Sequence, residues 1–189
     1  MIIGIGYKCR VGKDSVGSLL SEMSGWPVLR FADELKNRLM RNTKWTPQNK
    51  NETVGSLRFR DKYFDTMVGR DEVPEDVTAL QWFGVHMRKC FGEDFWIRCL
   101  MDTNFLPSSQ NAIIPDVRFP NEYRWVRGQG YTIRVDRADA PVDRNRSHVS
   151  ETALVGQPFD FVVTNTGLDS LPVQCAEIWA SLQILQKKG

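Results

Sequence analysis

The chain has 189 residues, 41% hydrophobic and 25% charged, an ordinary globular composition that buries roughly 70% of the unfolded surface without disulfide or metal staples. Against 23 Asp and Glu stand 25 Lys and Arg, a formal charge of +2, too balanced for a protein living on the nucleic-acid backbone. No run of about 18 apolar residues suits a membrane span, and the short apolar start followed by charges is the reverse of a secretory signal. Four scattered cysteines (Cys9, Cys90, Cys99, Cys175) without a CxxC pair, and two histidines (His86, His148), suggest neither a disulfide framework nor a His/Cys metal centre and point to a reducing cytoplasm.

In chain order, Ile2–Ile5 reads as a buried strand, and Val16, Leu19, Leu20 and Met23 recur at helical spacing behind it. Val28–Phe31 is a second strand-like run. Residues 43–75 are polar, charged and turn-rich, too long for a plain connection, and read as a substrate-side insert or flap. Leu80 to Phe91 and Phe95 to Met101 are helical patterns parted at Gly92. Ala112–Ile114 and Tyr131–Val135 are further strands. A basic flap over about 136–151 follows, with Arg137, Arg144 and Arg146 beyond Arg134 of the strand. Phe159–Val163 is the last strand, and Leu171, Cys175, Ile178, Trp179, Leu182 and Leu185 mark a final helix. Strands that are apolar without alternation are buried on both faces. Alternating with helices, they predict a single α/β domain over 1–189 with a parallel sheet covered on both sides.

The strongest local signal is at the front. The first strand runs into Gly6-Tyr7-Lys8-Cys9-Arg10-Val11-Gly12-Lys13-Asp14-Ser15 and then a helix, the strand–loop–helix context of a P-loop. Loop amides and the helix N-terminus offer donors to phosphate oxygens. Lys13 suits the β- and γ-phosphates, and Gly12 permits close backbone approach. Five residues rather than four separate the glycines. Asp14 replaces the usual hydroxyl, as a carboxylate suited to Mg²⁺ directly or through water, and Ser15 suits the α-phosphate.

The run Ala112-Ile113-Ile114-Pro115-Asp116 ends on an acid at the carboxyl end of a strand. That is the place of a Mg²⁺-organising or base carboxylate in an open α/β sheet, or of an Asp capping the next helix. Pro115 removes a ladder donor and suggests that the strand ends there.

Taken together, these segments resemble the bacteriophage-type deoxynucleoside monophosphate kinases. The loop is similar to that family's Gly-x-Lys-x-Arg-x-Gly-Lys-Asp-Ser/Thr variant. Phe31-Ala32-Asp33-Glu34-Leu35-Lys36 resembles its Phe-Ala-Asp-Pro-Leu-Lys, with Glu34 in place of Pro. Leu80-Gln81-Trp82-Phe83-Gly84, Arg88 and Phe91-Gly92-Glu93-Asp94-Phe95-Trp96 resemble the central helical block. Asp116-Val117-Arg118-Phe119-Pro120-Asn121-Glu122, His148-Val149-Ser150-Glu151 and Asn165-Thr166-Gly167 complete the order. The resemblance spans residues 2 to about 170 and is weakest over the insert.

It implies a three-layer α/β/α P-loop fold of nucleoside monophosphate kinase type. The implied reaction is transfer from ATP, with Mg²⁺, to a deoxynucleoside monophosphate, giving ADP and the diphosphate in a (host) cytoplasm. Arg10, Gly12, Lys13, Asp14, Ser15 and Asn165 are the expected ATP contacts, Asn165 toward adenine. Asp14 and Asp116 are the expected metal ligands. Lys8, Phe31, Ala32, Lys36, Gln81, Arg88, Trp96, Arg118, Glu122, Ser150 and Glu151 are the expected acceptor-side residues. Within these, Glu122 is also suited to orienting Arg118 or capping a helix, and Ser150 and Glu151 to capping. Lys13, Asp116, Arg118, Arg144 and Arg146 are the expected catalytic set, the last two closing over the transferring phosphoryl group. His148 is expected to be structural.

The expected partners are small nucleotides, with no stable nucleic acid and no membrane, and with aromatic candidates for a homodimer face. Two other readings compete. One is a P-loop kinase for another small phosphorylated acceptor, such as phosphomevalonate. The other is a non-catalytic nucleotide switch, for which Asn49-Lys50-Asn51-Glu52 is a near miss of the GTPase base-reading motif.

Overall fold

The computed structural model describes residues 1–49, 78–104, 110–140 and 149–187. Most of the 43–75 insert, and Arg144, Arg146 and His148 of the basic flap, lie outside the described residues. The chain forms two compact units, Met1–Arg30 with Phe105–Gly189, and Phe31–Asn104.

The first unit is built on a four-stranded parallel sheet in the order β2-β1-β3-β4: β1 Ile2–Gly6, β2 Ala112–Val117, β3 Gly130–Asp136 and β4 Phe161–Thr164. Its helices are α1 Lys13–Ser24, α5 Pro120–Gln129, the one-turn α6 Val149–Thr152 and α7 Leu171–Gln186. Side chains alternate across β1. Ile3 and Ile5 enter a core with Val16 and Leu20 of α1 and Cys175, Ile178 and Leu182 of α7. Gly4 faces α5 instead, where an added Cβ would lie 2.6 Å from a Val126 methyl. The missing side chain therefore sets how closely α5 packs. Helices on both faces of a wholly parallel sheet make the three layers that the apolar strands predicted.

After β1 the chain goes to one neighbour (β2) and then crosses to the other (β3). The strand order thus reverses at β1, and the carboxyl ends of its neighbours frame a crevice there. Gly6 is in register with Val117 of β2 and Arg134 of β3, so the loop after β1 emerges between these two strand ends.

Two local expectations are corrected. Val28–Phe31 is not a strand: Val28 makes a single parallel bridge to Ile113, and Phe31 opens a helix. Pro115 does not end β2, which continues to Val117. The Ile113 amide points outward, to the Pro27 carbonyl at 2.9 Å. Position 115, two residues on, has its nitrogen on the same outer side, and at an edge strand no ladder bond is lost.

The second unit contains α2 Phe31–Asn42, α3 Ala79–Phe91 and α4 Phe95–Asn104. Thr78 caps α3, its hydroxyl lying 3.4 Å from the Gln81 amide and donating to Gln81 Oε1 at 3.0 Å. Gly92, at φ 94°, turns the chain from α3 into α4. Leu39, Trp45, Phe83, Trp96 and Leu100 are fully buried here. Among the described residues no helix is long and apolar enough to cross a membrane.

Candidate active site

The loop after β1 is held in conformations that most side chains avoid. Tyr7 and Arg10 have φ of 94° and 58°, and Gly12 has φ 102°, a concentration of left-handed backbone typical of a functional turn. The Tyr7 ring meets Phe159 edge-on, with Lys8 and Arg134 placed over it at 5.2 and 5.6 Å. Gly12 is the N-cap of α1 and supplies no side-chain cap, so the first-turn N–H groups are not satisfied by a capping side chain. A side chain at Gly12 would be strained: its φ is left-handed, and a Cβ would lie 2.5 Å from Asn165 Nδ2, the group that holds the Val11 carbonyl.

Lys13, the first residue of α1, is 6% exposed. Its ammonium donates to the Lys8 carbonyl of its own loop. Burial, and then the neighbouring Arg118 cation, lower its pKa to about 8; Cys9, Glu151 and Asp14 act in the opposite sense. Asp14 is exposed and faces Arg30, whose Nε lies 3.2 Å away. Ser15 is half-buried in the same first turn.

Arg118 follows β2 directly. Its backbone amide and that of Phe119 donate to Glu122 Oε2 at 2.7 and 3.0 Å, which caps α5. Its guanidinium donates to Glu151 Oε1 at 2.5 Å. The other oxygen of Glu151 accepts the Cys9 amide of the loop at 2.7 Å. Burial opposes the charge of Arg118, but Glu151, Cys9 and Asp116 outweigh it and hold the pKa above its ordinary value. Asp116, half-buried at the end of β2, belongs to the same electrostatic cluster.

The structure thus gathers Lys13, Arg118, Glu151 and the loop at the ends of β1 and β2. Asn165 is 5% exposed. It donates from Nδ2 to the Val11 carbonyl at 2.8 Å and accepts from the Gly167 amide at 3.1 Å. One end of its carboxamide thus anchors the loop and the other the turn after β4. Glu122 is 1% exposed and caps α5. Glu151 is engaged with Arg118 and Cys9, and Ser150 lies beside it, Oγ 3.5 Å from Glu151 Oε1.

The remaining acceptor-side candidates belong to the second unit. Phe31 is buried at the start of α2, with Ala32 half-buried after it. Lys36 pairs with Asp33 at 3.3 Å. Gln81 completes the cap of α3, and Arg88 donates to the Glu93 carbonyl at 2.9 Å, closing the α3–α4 corner. Trp96 is 1% exposed, with its indole N–H on the Gly84 carbonyl at 2.9 Å, and packs in the core of this unit. The feature that sequence reasoning missed is the Glu151 bridge. Its only sequence signal is an acid in a basic segment, 33 residues beyond Arg118.

Among the described residues no group of three or more His, Cys, Asp or Glu side chains is placed to hold a metal ion. Asp14 and Asp116 are single carboxylates flanking the loop. That donor set fits an ion such as Mg²⁺, which keeps waters and takes phosphate oxygens alongside one or two carboxylates.

No protein-family model and no curated protein matches the chain. Solved structures do match it in fold. A shikimate kinase from Aquifex aeolicus superposes with a TM-score of 0.54 at 16% identity, covering 100% of both chains. The Thermus thermophilus protein TT1252 gives 0.55 at 18% identity, covering 96% of each. A parallel sheet with flanking helices and this superposition give the chain the α/β fold of the P-loop kinases.

Proposed function

We propose that the chain is a phosphotransferase that moves the γ-phosphoryl group of ATP to a deoxynucleoside monophosphate, forming ADP and the deoxynucleoside diphosphate. The observation that carries this reading is the convergence of two cations from different segments on a glycine-bounded loop: buried Lys13, whose ammonium lies on the Lys8 carbonyl of that loop, and half-buried Arg118, joined to the loop through Glu151. Such a pair costs free energy in an empty protein, and it is suited to a ligand that brings several negative charges at once.

Phosphoryl transfer asks a protein for positioning and for charge neutralisation. In this reading the loop amides and the opening of α1 bind the β- and γ-phosphates of the donor. Lys13 leaves the Lys8 carbonyl for a phosphate oxygen, and Arg118, fixed before the reaction begins, stabilises charge developing on the transferred group. In the same reading Lys8, exposed on the loop, serves the acceptor phosphate, as the resemblance implies. Asp14 and Asp116 are the residues that would hold Mg²⁺, which supplies further charge neutralisation when bound.

The deoxynucleotide acceptor rests on the ordered blocks of the sequence resemblance. A coupled ADP-release assay over all deoxy- and ribonucleoside monophosphates, with phosphomevalonate and shikimate as non-nucleotide acceptors, tests it. Turnover with one or more deoxynucleoside monophosphates supports the proposal. Turnover confined to a non-nucleotide acceptor rejects the substrate class, and ATP binding without turnover on any acceptor favours a nucleotide switch.

A further inference from the structure

We infer that Glu151 is a positioning residue that clips the Arg118 guanidinium to the phosphate loop, so that the two phosphate-binding segments act as one body. The inference rests on the phosphate-loop reading above and adds to it a residue that reaches neither nucleotide. Arg118 stands at the end of β2 and Cys9 in the loop after β1, and the Glu151 side chain joins them, accepting from the guanidinium with one oxygen and from the loop amide with the other. The carboxylate is largely buried, its side chain 12% exposed. A buried carboxylate with both oxygens committed to well-aligned donors holds those donors in fixed geometry.

A carboxylate among cations could instead be an internal stand-in for phosphate, expelled when ligand arrives. The choice of amide argues against that. Glu151 takes the Cys9 amide, three residues ahead of Gly12, and not the first-turn amides of α1, which lie at the positive end of the helix dipole. The first turn of α1 keeps no side-chain cap.

The test is kcat on the best acceptor and calorimetric titration of ATP for wild type, Glu151→Gln, Glu151→Asp and an Arg118→Ala/Glu151→Gln double variant. Glu151→Gln is expected to lower kcat roughly tenfold or more, with a smaller change in ATP affinity. The double variant is expected to be no slower than Arg118→Ala alone, within about threefold. Glu151→Asp keeps the charge but shortens the reach, so kcat falls here too; it also serves if Glu151→Gln melts. An unchanged kcat in Glu151→Gln, or additive losses in the double variant, overturn the inference while leaving the loop assignment intact. A wild-type chain that binds no ATP overturns both.

Discussion

Asn165 and Val11, 154 residues apart, are joined by a 2.8 Å hydrogen bond from the Asn165 carboxamide to the Val11 carbonyl. The end of the last strand thereby fixes the middle of the phosphate loop. Asn165 is itself held by its own amide on the Asp136 carbonyl at 2.7 Å, at the end of β3. The loop owes its shape to strand ends that the chain reaches only much later.

Asn165→Ala should therefore act on loop order and on binding together. Losing a buried hydrogen bond and leaving the Val11 carbonyl without that donor costs roughly 1–3 kcal/mol. ATP affinity should fall several-fold, and the melting temperature should drop. Gly12→Ala should be worse, because the new Cβ meets the Asn165 amide and φ is left-handed. Calorimetry with ATP and thermal melts of both variants check the order; a Gly12→Ala protein that binds ATP like wild type would contradict the loop geometry.

Lys13→Met should abolish phosphoryl transfer and yet raise the melting temperature. The ammonium is buried, and a folded-state pKa of about 8 against an ordinary 10.5 means that its charge opposes folding. Replacing it with an apolar side chain of similar length removes that cost, roughly 1–3 kcal/mol. Thermal melts paired with an ADP-release assay decide it. Retained turnover would end the assignment of Lys13 as the donor-phosphate lysine.

The pH dependence follows from the same shift. Lys13 must be charged to hold phosphate, so kcat/KM for ATP should decline as pH rises through about 8. Stability runs the other way. Between about 8 and 10.5 the unfolded chain carries the Lys13 proton and the folded chain does not, so the Lys13 contribution to unfolding free energy rises with pH across that window. Activity and urea-melt profiles measured on the same samples should diverge there; parallel decline would place the titrating group elsewhere.

Arg118→Ala should cost two or more orders of magnitude in kcat while the fold persists at moderate temperature. It also strands the Glu151 carboxylate in a buried place, so the melting temperature should drop as well. Arg118→Lys keeps a charge but not the forked donor geometry, and should recover stability more fully than rate. Complete unfolding of Arg118→Ala with full activity in Arg118→Lys would make the residue a structural one.

The primary structure alone determines most of this architecture. Short β-branched runs without alternation, spaced by helical periods, dictate a buried parallel sheet, because only strands covered on both faces have no polar side. The phosphate loop is equally legible: a lysine after a glycine, between a strand and a helix, is local chemistry. Where local patterns misled, partners distant in the chain decided the outcome. Val28–Phe31 has the composition of a strand but gains only one bridge, at Val28, with Phe31 recruited to a helix. Pro115 sits inside β2 because that strand lies at an edge, which strand order alone reveals. Asn165 and Glu122 have the residue types of ligand contacts, yet burial commits each to backbone groups. The Glu151 bridge depends on two strand ends and a short helix arriving at one point. A side chain's spare hydrogen-bonding capacity is set by what tertiary packing brings within about 3 Å of it, and no local window of sequence contains that neighbour.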